Sequence, residues 1–327
     1  MKNNEANRGG NTPGIKKKVG RPPSTKPNAN QMEIHGLVSR PQKEGYSMEL
    51  IYESPASLKK VFSSLYACNK KSVYMEFDKA GVTIACEDHY EKLSLIAYID
   101  GALSVSYFCE ENISFSIEGV EIDGICKIIK KNFGSIKLYI KERCEDPKKL
   151  YICLYENSIK SEDSTPFSTC KADMPLQLKN PLGRKYDISF KLPSAHFKKR
   201  LNTYLKLEKN TCEVFAQVSD KSAQLEYRNN QDNSKNPIKT KYTDSTAIDF
   251  KILTPDIRNV TCLFKLEYFS NVFKSVISND FLILLSQSEG ICLKFVLDTI
   301  EEKRIKNKVP NQNMNAITVL VFSDNNT

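Results

Sequence analysis

The sequence is short of the residues that most site chemistry needs. It has three histidines, His35, His89 and His196, far apart in 327 residues. Its ten cysteines never form a CxxC pair, and Cys153 in "LYICLY" and Cys292 in "GICLKF" sit inside apolar runs. Zinc needs clustered thiolates and imidazoles. The cysteines therefore read as reduced thiols, several of them small core residues, and not as a metal site. No GxxxxGK phosphate loop, HExxH or GxSxG occurs. The densest reactive cluster, "CEDH" at 86–89, reads as a polar hairpin turn, and nothing sets a nucleophile beside a base and an oxyanion donor. The expectation is a protein that is not an enzyme and has no cofactor. No apolar run nears the ~20 residues that span a bilayer, and the N-terminus has no apolar core for a signal peptide. That predicts an intracellular protein with no membrane partner.

Charge is plentiful but uneven. Formal net charge is +9, from 48 basic and 39 acidic residues. Residues 1–43 hold Lys2, Arg8, Lys16, Lys17, Lys18, Arg21, Lys26, Arg40 and Lys43 against Glu5 and Glu33, so seven of the nine net charges lie in this stretch. It is rich in Asn, Gly and Pro without a hydrophobic period, which predicts a disordered tail. Within it, Gly20-Arg21-Pro22-Pro23 flanked by Lys16, Lys17, Lys18 and Lys26 has the pattern of an AT-hook, a minor-groove arm. A nuclear-targeting signal or a solubilising arm would explain the same charges. The remaining body is nearly neutral, so any contact with DNA needs its cations gathered on one face.

From residue 47 the text is structured, and it reads twice. "MELIY" is a strand, and "SPASLKKVFSSLYACNKK" a helix with Ser54 as cap and Pro55 at its first position. Leu58, Val61, Phe62 and Leu65 fall on the buried face, with Lys59, Lys60 and Lys70 largely off it. Strands follow at "VYMEF", "GVTIAC", "KLSLIAYI", "LSVSYF" and "ISFSI", then a helix at "EIDGICKIIKKNF". It turns Ile125, Ile128, Ile129 and Phe133 inward and leaves Lys127, Lys130 and Lys131 outside. "SIKLYIK" and "KLYICLY" close the unit. Residues 157–185, proline-containing and mixed in polarity, read as a connector with a possible strand at "FSTCKADM". The second half repeats the order: strand "YDISFKL", helix "PSAHFKKRLNTYLKLE" with Lys199 and Lys206 outside, four strands, helix "LEYFSNVFKSVIS" with Lys274 outside, and closing strands at "FLILLS", "GICLKFVL" and "AITVLVF". The predicted organisation is a tail at 1–43, one α+β unit at 44–156, the connector at 157–185 and a second unit at 186–327. Antiparallel sheets lie outside, and four amphipathic helices cover one face.

These segments, in this order, resemble the DNA sliding clamps related to proliferating cell nuclear antigen. "SLKKVFSSL" is similar to that family's first helix, "GVTIACEDHYEKLSLIAYI" to its next hairpin, "VEIDGICKIIKK" to its second helix and "YDISFKLPSAHFKKRL" to the opening of its second domain. "TCLFKLEYFSNVFKSVISNDFLILLSQSEGICLKFVL" looks like its fourth helix and the strands after it. The likeness runs colinearly over about residues 47–322. "GRPP" followed by "HGLVSRPQ" further resembles the N-terminus of clamp-like proteins of African swine fever virus and related large DNA viruses.

The resemblance implies a homotrimeric ring around double-stranded DNA, bound without regard to sequence, that acts as a polymerase processivity factor. Channel cations carried over by position are Lys59, Lys60, Lys127, Lys130, Lys199, Lys206 and Lys274. Tyr66 and Asn202 stand where the family would have a lysine and an arginine, and Lys70, Lys131 and Lys198 would compensate for them. Copies would pair about residues 167–174 with 238–243 of the next subunit. DNA polymerase, clamp loader and repair proteins would dock through short motifs with an aromatic plug, at Leu95, Met174, Leu176, Leu178, Leu320 and Phe322. The site of work would be a viral replication site in the host cytoplasm or nucleus. Two other readings stay open: a clamp-fold viral late transcription factor, or an AT-hook DNA-binding adaptor, each acting without a ring.

Overall fold

The computed structural model describes residues 45–88, 93–130, 133–141, 147–156, 164–175, 185–207, 211–217, 219, 221–228, 238–243, 249–273, 279–286, 290–296 and 316–321. The first half runs β1 (Met48–Tyr52), α1 (Pro55–Cys68), β2 (Ser72–Phe77), β3 (Gly81–Glu87), β4 (Leu93–Asp100), β5 (Ser106–Cys109), β6 (Ile113–Glu118), α2 (Gly119–Ile128), β7 (Phe133–Ile140), β8 (Lys149–Glu156) and β9 (Ser164–Ser168). The second runs β10 (Ile188–Pro193), α3 (Ser194–Lys206), β11 (Thr211–Gln217), β12 (Ser222–Arg228), β13 (Ile238–Tyr242), β14 (Lys251–Ile252), β15 (Asn259–Lys265), α4 (Leu266–Val272), β16 (Asp280–Ser286), β17 (Gly290–Val296) and β18 (Ala316–Val321). Apart from a 3-10 turn at Gly101–Leu103, the two orders are the same throughout.

The pairings repeat as well. β1 lies between β5 and β7, and β10 between β14 and β16, all antiparallel. The sheets run β5-β1-β7-β8-β9, β13-β12-β11-β15, and a nine-stranded β14-β10-β16-β17-β18-β4-β3-β2-β6. In the last, β18 pairs with β4 from Ala316↔Tyr98 to Val321↔Leu93. The two halves thus share one continuous sheet.

The helices cover one side of these sheets. In α1, Pro55 starts the helix, and Leu58, Val61, Phe62 and Leu65 are fully buried at helical spacing. They meet Met48, Leu50, Val73 and Met75 in the main core, which continues through Phe197, Leu201, Tyr204, Phe269 and Phe273 in the second half. The helices touch in the order α2–α1–α4–α3 and form one layer. On the far side of the five-stranded sheet, alternation places Glu49, Lys137, Tyr139 and Tyr151. There Lys137 pairs with Glu49 at 2.6 Å, both side chains 9% exposed, beneath the Tyr46 ring.

Four local expectations are corrected. Ser54 does not cap α1 through its side chain; its hydroxyl bonds to that of Ser57 at 2.8 Å, and its carbonyl accepts from Ser57 and Leu58. Phe133 opens β7 instead of ending α2, which stops at Ile128. The last of the four strands expected between α3 and α4, "AIDFKIL", is reduced among the described residues to the two residues of β14, which pair with Ser189 and Ile188 at the start of β10. The strand expected at 167–174 is β9, three residues earlier. After it the chain leaves the five-stranded sheet and bridges β6, with Cys170 N–H donating to the Ser116 carbonyl and Ser116 N–H to the Cys170 carbonyl.

β9 includes Pro166 because it is an edge strand. Thr169 N–H donates to the Lys148 carbonyl. By the alternation of an antiparallel ladder, Phe167 and Thr165 then bond to β8, while the backbone of Ser164, Pro166 and Ser168 faces the free edge. That edge lacks one donor, at Pro166. Phe167, 5% exposed, anchors β9 over Gly124 of α2, where an added Cβ would lie 3.2 Å from its ring.

Candidate nucleic-acid interface

The outward face of the helix layer is the candidate site, and its cations are unequal. In α1, Lys59 is half-buried and its Nζ donates to the Ile129 carbonyl at 2.7 Å. It ties α1 to the end of α2, where carbonyls without helical partners attract a cation. Lys60 is half-buried and Lys70 exposed. In α2, exposed Lys127 pairs with Asp123 one turn earlier at 2.5 Å, and this hydrogen bond and charge raise its pKa. Lys130 is exposed just past the helix end. Lys131 and Lys274 lie outside the described residues, as do Lys16, Lys17, Lys18, Arg21 and Lys26.

The charge gathers on α3. Lys199, Arg200 and Lys206 are exposed, Lys198 is half-buried, and no acid occurs between Ser194 and Lys206. The buried row Phe197, Leu201 and Tyr204 holds the helix to the sheet, so the opposite face is fixed outward. Arg200 was absent from the sequence-based set. Its guanidinium donates to the Tyr204 hydroxyl at 3.3 Å and turns toward β13, on the flank of the helix. Its place beside Lys199 in an acid-free helix was the available signal. On the same flank His196 Nδ1 lies 3.3 Å from the Tyr242 hydroxyl, whose pKa burial pushes up to about 12.

A second surface lies on the far side of the nine-stranded sheet. Tyr74, Ala85, Ile96, Leu284 and Cys292 form a cluster separate from the main core, with Ala172 of the connector and Tyr186 just after it packed against it. Leu95, expected to line a partner pocket, is instead fully enclosed in the main core; its neighbour Ile96 faces the other way. Met174 is 43% exposed beside the connector's first end. Leu320 sits in β18 at the register position between Cys292 and Ser94. Leu176, Leu178 and Phe322 lie outside the described residues.

Among the described residues no group of three or more His, Cys, Asp or Glu side chains could hold a metal ion, and no helix is long and apolar enough to cross a membrane. Burial raises the thiol pKa values of Cys86, Cys212 and Cys262, the last to about 12, so these groups stay protonated and unreactive.

No protein-family model and no curated protein matches the sequence. Solved structures do match. Proliferating cell nuclear antigen from Entamoeba histolytica superposes with a TM-score of 0.64 at 14% identity, over 85% of this chain and 99% of that one. The PCNA2–PCNA3 complex from Sulfolobus tokodaii superposes with a TM-score of 0.65 at 12% identity, again over 85% and 99%. Repeated halves, sheets on one side and a single helix layer on the other are therefore the fold of the PCNA sliding clamps.

Proposed function

We propose that this chain is a sliding clamp: copies close into a ring around duplex DNA and tether the proteins that replicate and repair it. The observation that carries the reading is the helix layer, whose exposed cations gather on acid-free α3 while the body as a whole is nearly neutral. Lysine and arginine aimed at phosphates attract DNA without reading bases, which suits a protein that must slide. Closure supplies the lifetime that such contacts do not.

The ring would close by pairing β9 of one copy with β13 of the next, which are free edges at opposite ends of the helix layer. Three copies is the number the family likeness suggests. The similarity to the PCNA2–PCNA3 complex from Sulfolobus tokodaii supports assembly of more than one subunit. Polymerase, loader and repair proteins would bind by short peptides over the Ile96–Leu284–Cys292 cluster. The basic tail with Arg21 acts as an accessory arm, and the site of work is a viral replication compartment.

The test compares retention on closed circular DNA with retention on the same DNA after linearisation. A clamp stays on the circle and runs off the ends. Equal retention on both, lost when Lys16, Lys17, Lys18 and Arg21 are all changed to Gln, would replace this reading with a tail-driven DNA binder.

A further inference from the structure

The surface over the Ile96–Leu284–Cys292 cluster has a chemical bias that narrows what binds there. Its rows can be followed strand by strand. One crosses Lys191, Leu282, Lys294, Thr318, Ile96, Ala85 and Tyr74. The next crosses Ser189, Leu284, Cys292, Leu320, Ser94 and Glu87. Lys294 therefore stands inside the apolar patch, between Leu282 and the β18 register position that leads to Ile96. It is exposed, and among the described residues it has no ion-pair partner. An ammonium set among apolar neighbours is an anchor for one carboxylate, because water and salt screen such a pair less there than on an open rim.

The connector and the strands nearest Lys294 add further cations. Both described ends of the connector begin or end with an exposed lysine, Lys171 before Ala172 and Lys185 before Tyr186. Lys191 is exposed in the same row. On the acidic side, Asp249 is shared by Lys191 at 3.8 Å and Lys251 at 3.2 Å, Asp173 is exposed beside Met174, and at the far end of the sheet Glu87 accepts from the Ser94 hydroxyl at 3.2 Å and Glu76 lies beside Tyr74. Between residues 171 and 187 the sequence has Lys171, Lys179, Arg184 and Lys185 against Asp173 and Asp187. The connector is net basic, and on the strand face the cations Lys191 and Lys294 stand at the β10–β17 end while the acids Glu76 and Glu87 stand at the β2–β3 end.

We propose that this surface takes peptides whose apolar anchor is flanked by acidic residues, with Lys294 pairing the carboxylate nearest the anchor. The proposal rests on the peptide-docking part of the clamp reading and adds the charge of the partner to it. A basic-flanked peptide would place like charges against Lys294 and Lys191, which costs affinity and association rate.

The experiment uses the full chain and two fluorescein-labelled 16-residue peptides with the same Leu and Phe-Phe anchor, one flanked by Glu and one by Lys. A third, Glu-flanked peptide without the anchor measures attraction to the basic tail. Fluorescence polarisation should show the Glu-flanked peptide binding about tenfold more tightly than its Lys-flanked twin at low salt, from a few pairs of ordinary strength. The gap should narrow as salt rises, and Lys294→Glu should abolish or invert it. Lys294 is exposed, so this variant folds; its thermal unfolding should match the parent's. Equal binding of the two anchored peptides or tighter binding of the Lys-flanked one overturns the acidic preference, and a gap unchanged by Lys294→Glu overturns the pairing with Lys294; each leaves the peptide site standing. If neither anchored peptide binds better than the anchorless control, the peptide site itself falls, and this proposal with it.

Discussion

Neutralising α3 should damage DNA binding far more than neutralising α1 or α2. The perturbation is Lys199→Gln, Arg200→Gln and Lys206→Gln together, three exposed cations on a helix with no acid to share them. Each phosphate contact contributes about 0.9 to the salt slope, which amounts to roughly fivefold in affinity near 0.15 M salt. Lys199 and Lys206, on the outward face, account for two lost contacts per copy, about 1.8 of the slope and on the order of 25-fold in affinity, while Arg200, bonded to Tyr204 on the flank, adds little. Lys127→Gln should cost less than one such step, because Asp123 already holds its charge. Lys59→Gln should barely change DNA affinity but lower stability, because its ammonium serves the Ile129 carbonyl. The assay is fluorescence anisotropy on a blunt duplex at several salt concentrations, with thermal unfolding of each variant in parallel. A triple α3 variant with unchanged slope, or a Lys59 variant as defective as the α3 one, would refute the assignment of the charge to α3.

Lys137→Met should destabilise the fold by about 3–5 kcal/mol in urea titrations, since it strands Glu49; replacing both partners, Glu49→Leu with Lys137→Met, should recover most of that loss. Gly119→Ala should cost about 1–3 kcal/mol, because its Cβ would run into the Lys70 carbonyl, a backbone atom that cannot swing aside. Tyr242 has its folded pKa raised to about 12 by burial, so its contribution is complete below the unfolded value near 10 and is lost as pH rises from about 10 to 12. Absorbance at 295 nm should show this tyrosine ionising late, and Tyr242→Phe should make alkaline unfolding less steep over that window.

Much of this architecture was legible because alternation and helical spacing survive in the sequence. The buried row of α1 and the doubled order of elements could be read directly. The misreadings each have a physical source. Pro166 reads as part of the connector, because proline cannot donate to a ladder; it is tolerated in β9 because its missing N–H faces an open edge. Leu95 and Ile96 sit in "LSLIAYI", a strand buried on both faces, where alternation no longer separates inside from outside. Lys59 falls off the apolar stripe of α1, but no local pattern shows that it reaches a carbonyl 70 residues away. The neutralised state of Lys127 was readable, since Asp123 precedes it by one helical turn.

Pro166 matters before any assembly as well. A newly made chain exposes the edges of β9 and β13, and an exposed edge is a template for indiscriminate strand addition. Two β9 edges meeting each other would face two missing donors, one from each proline, so like-with-like stacking is penalised from the start. The residue that thins the proposed subunit contact thus also guards the unassembled protein against fibrous self-association while its partners are being made.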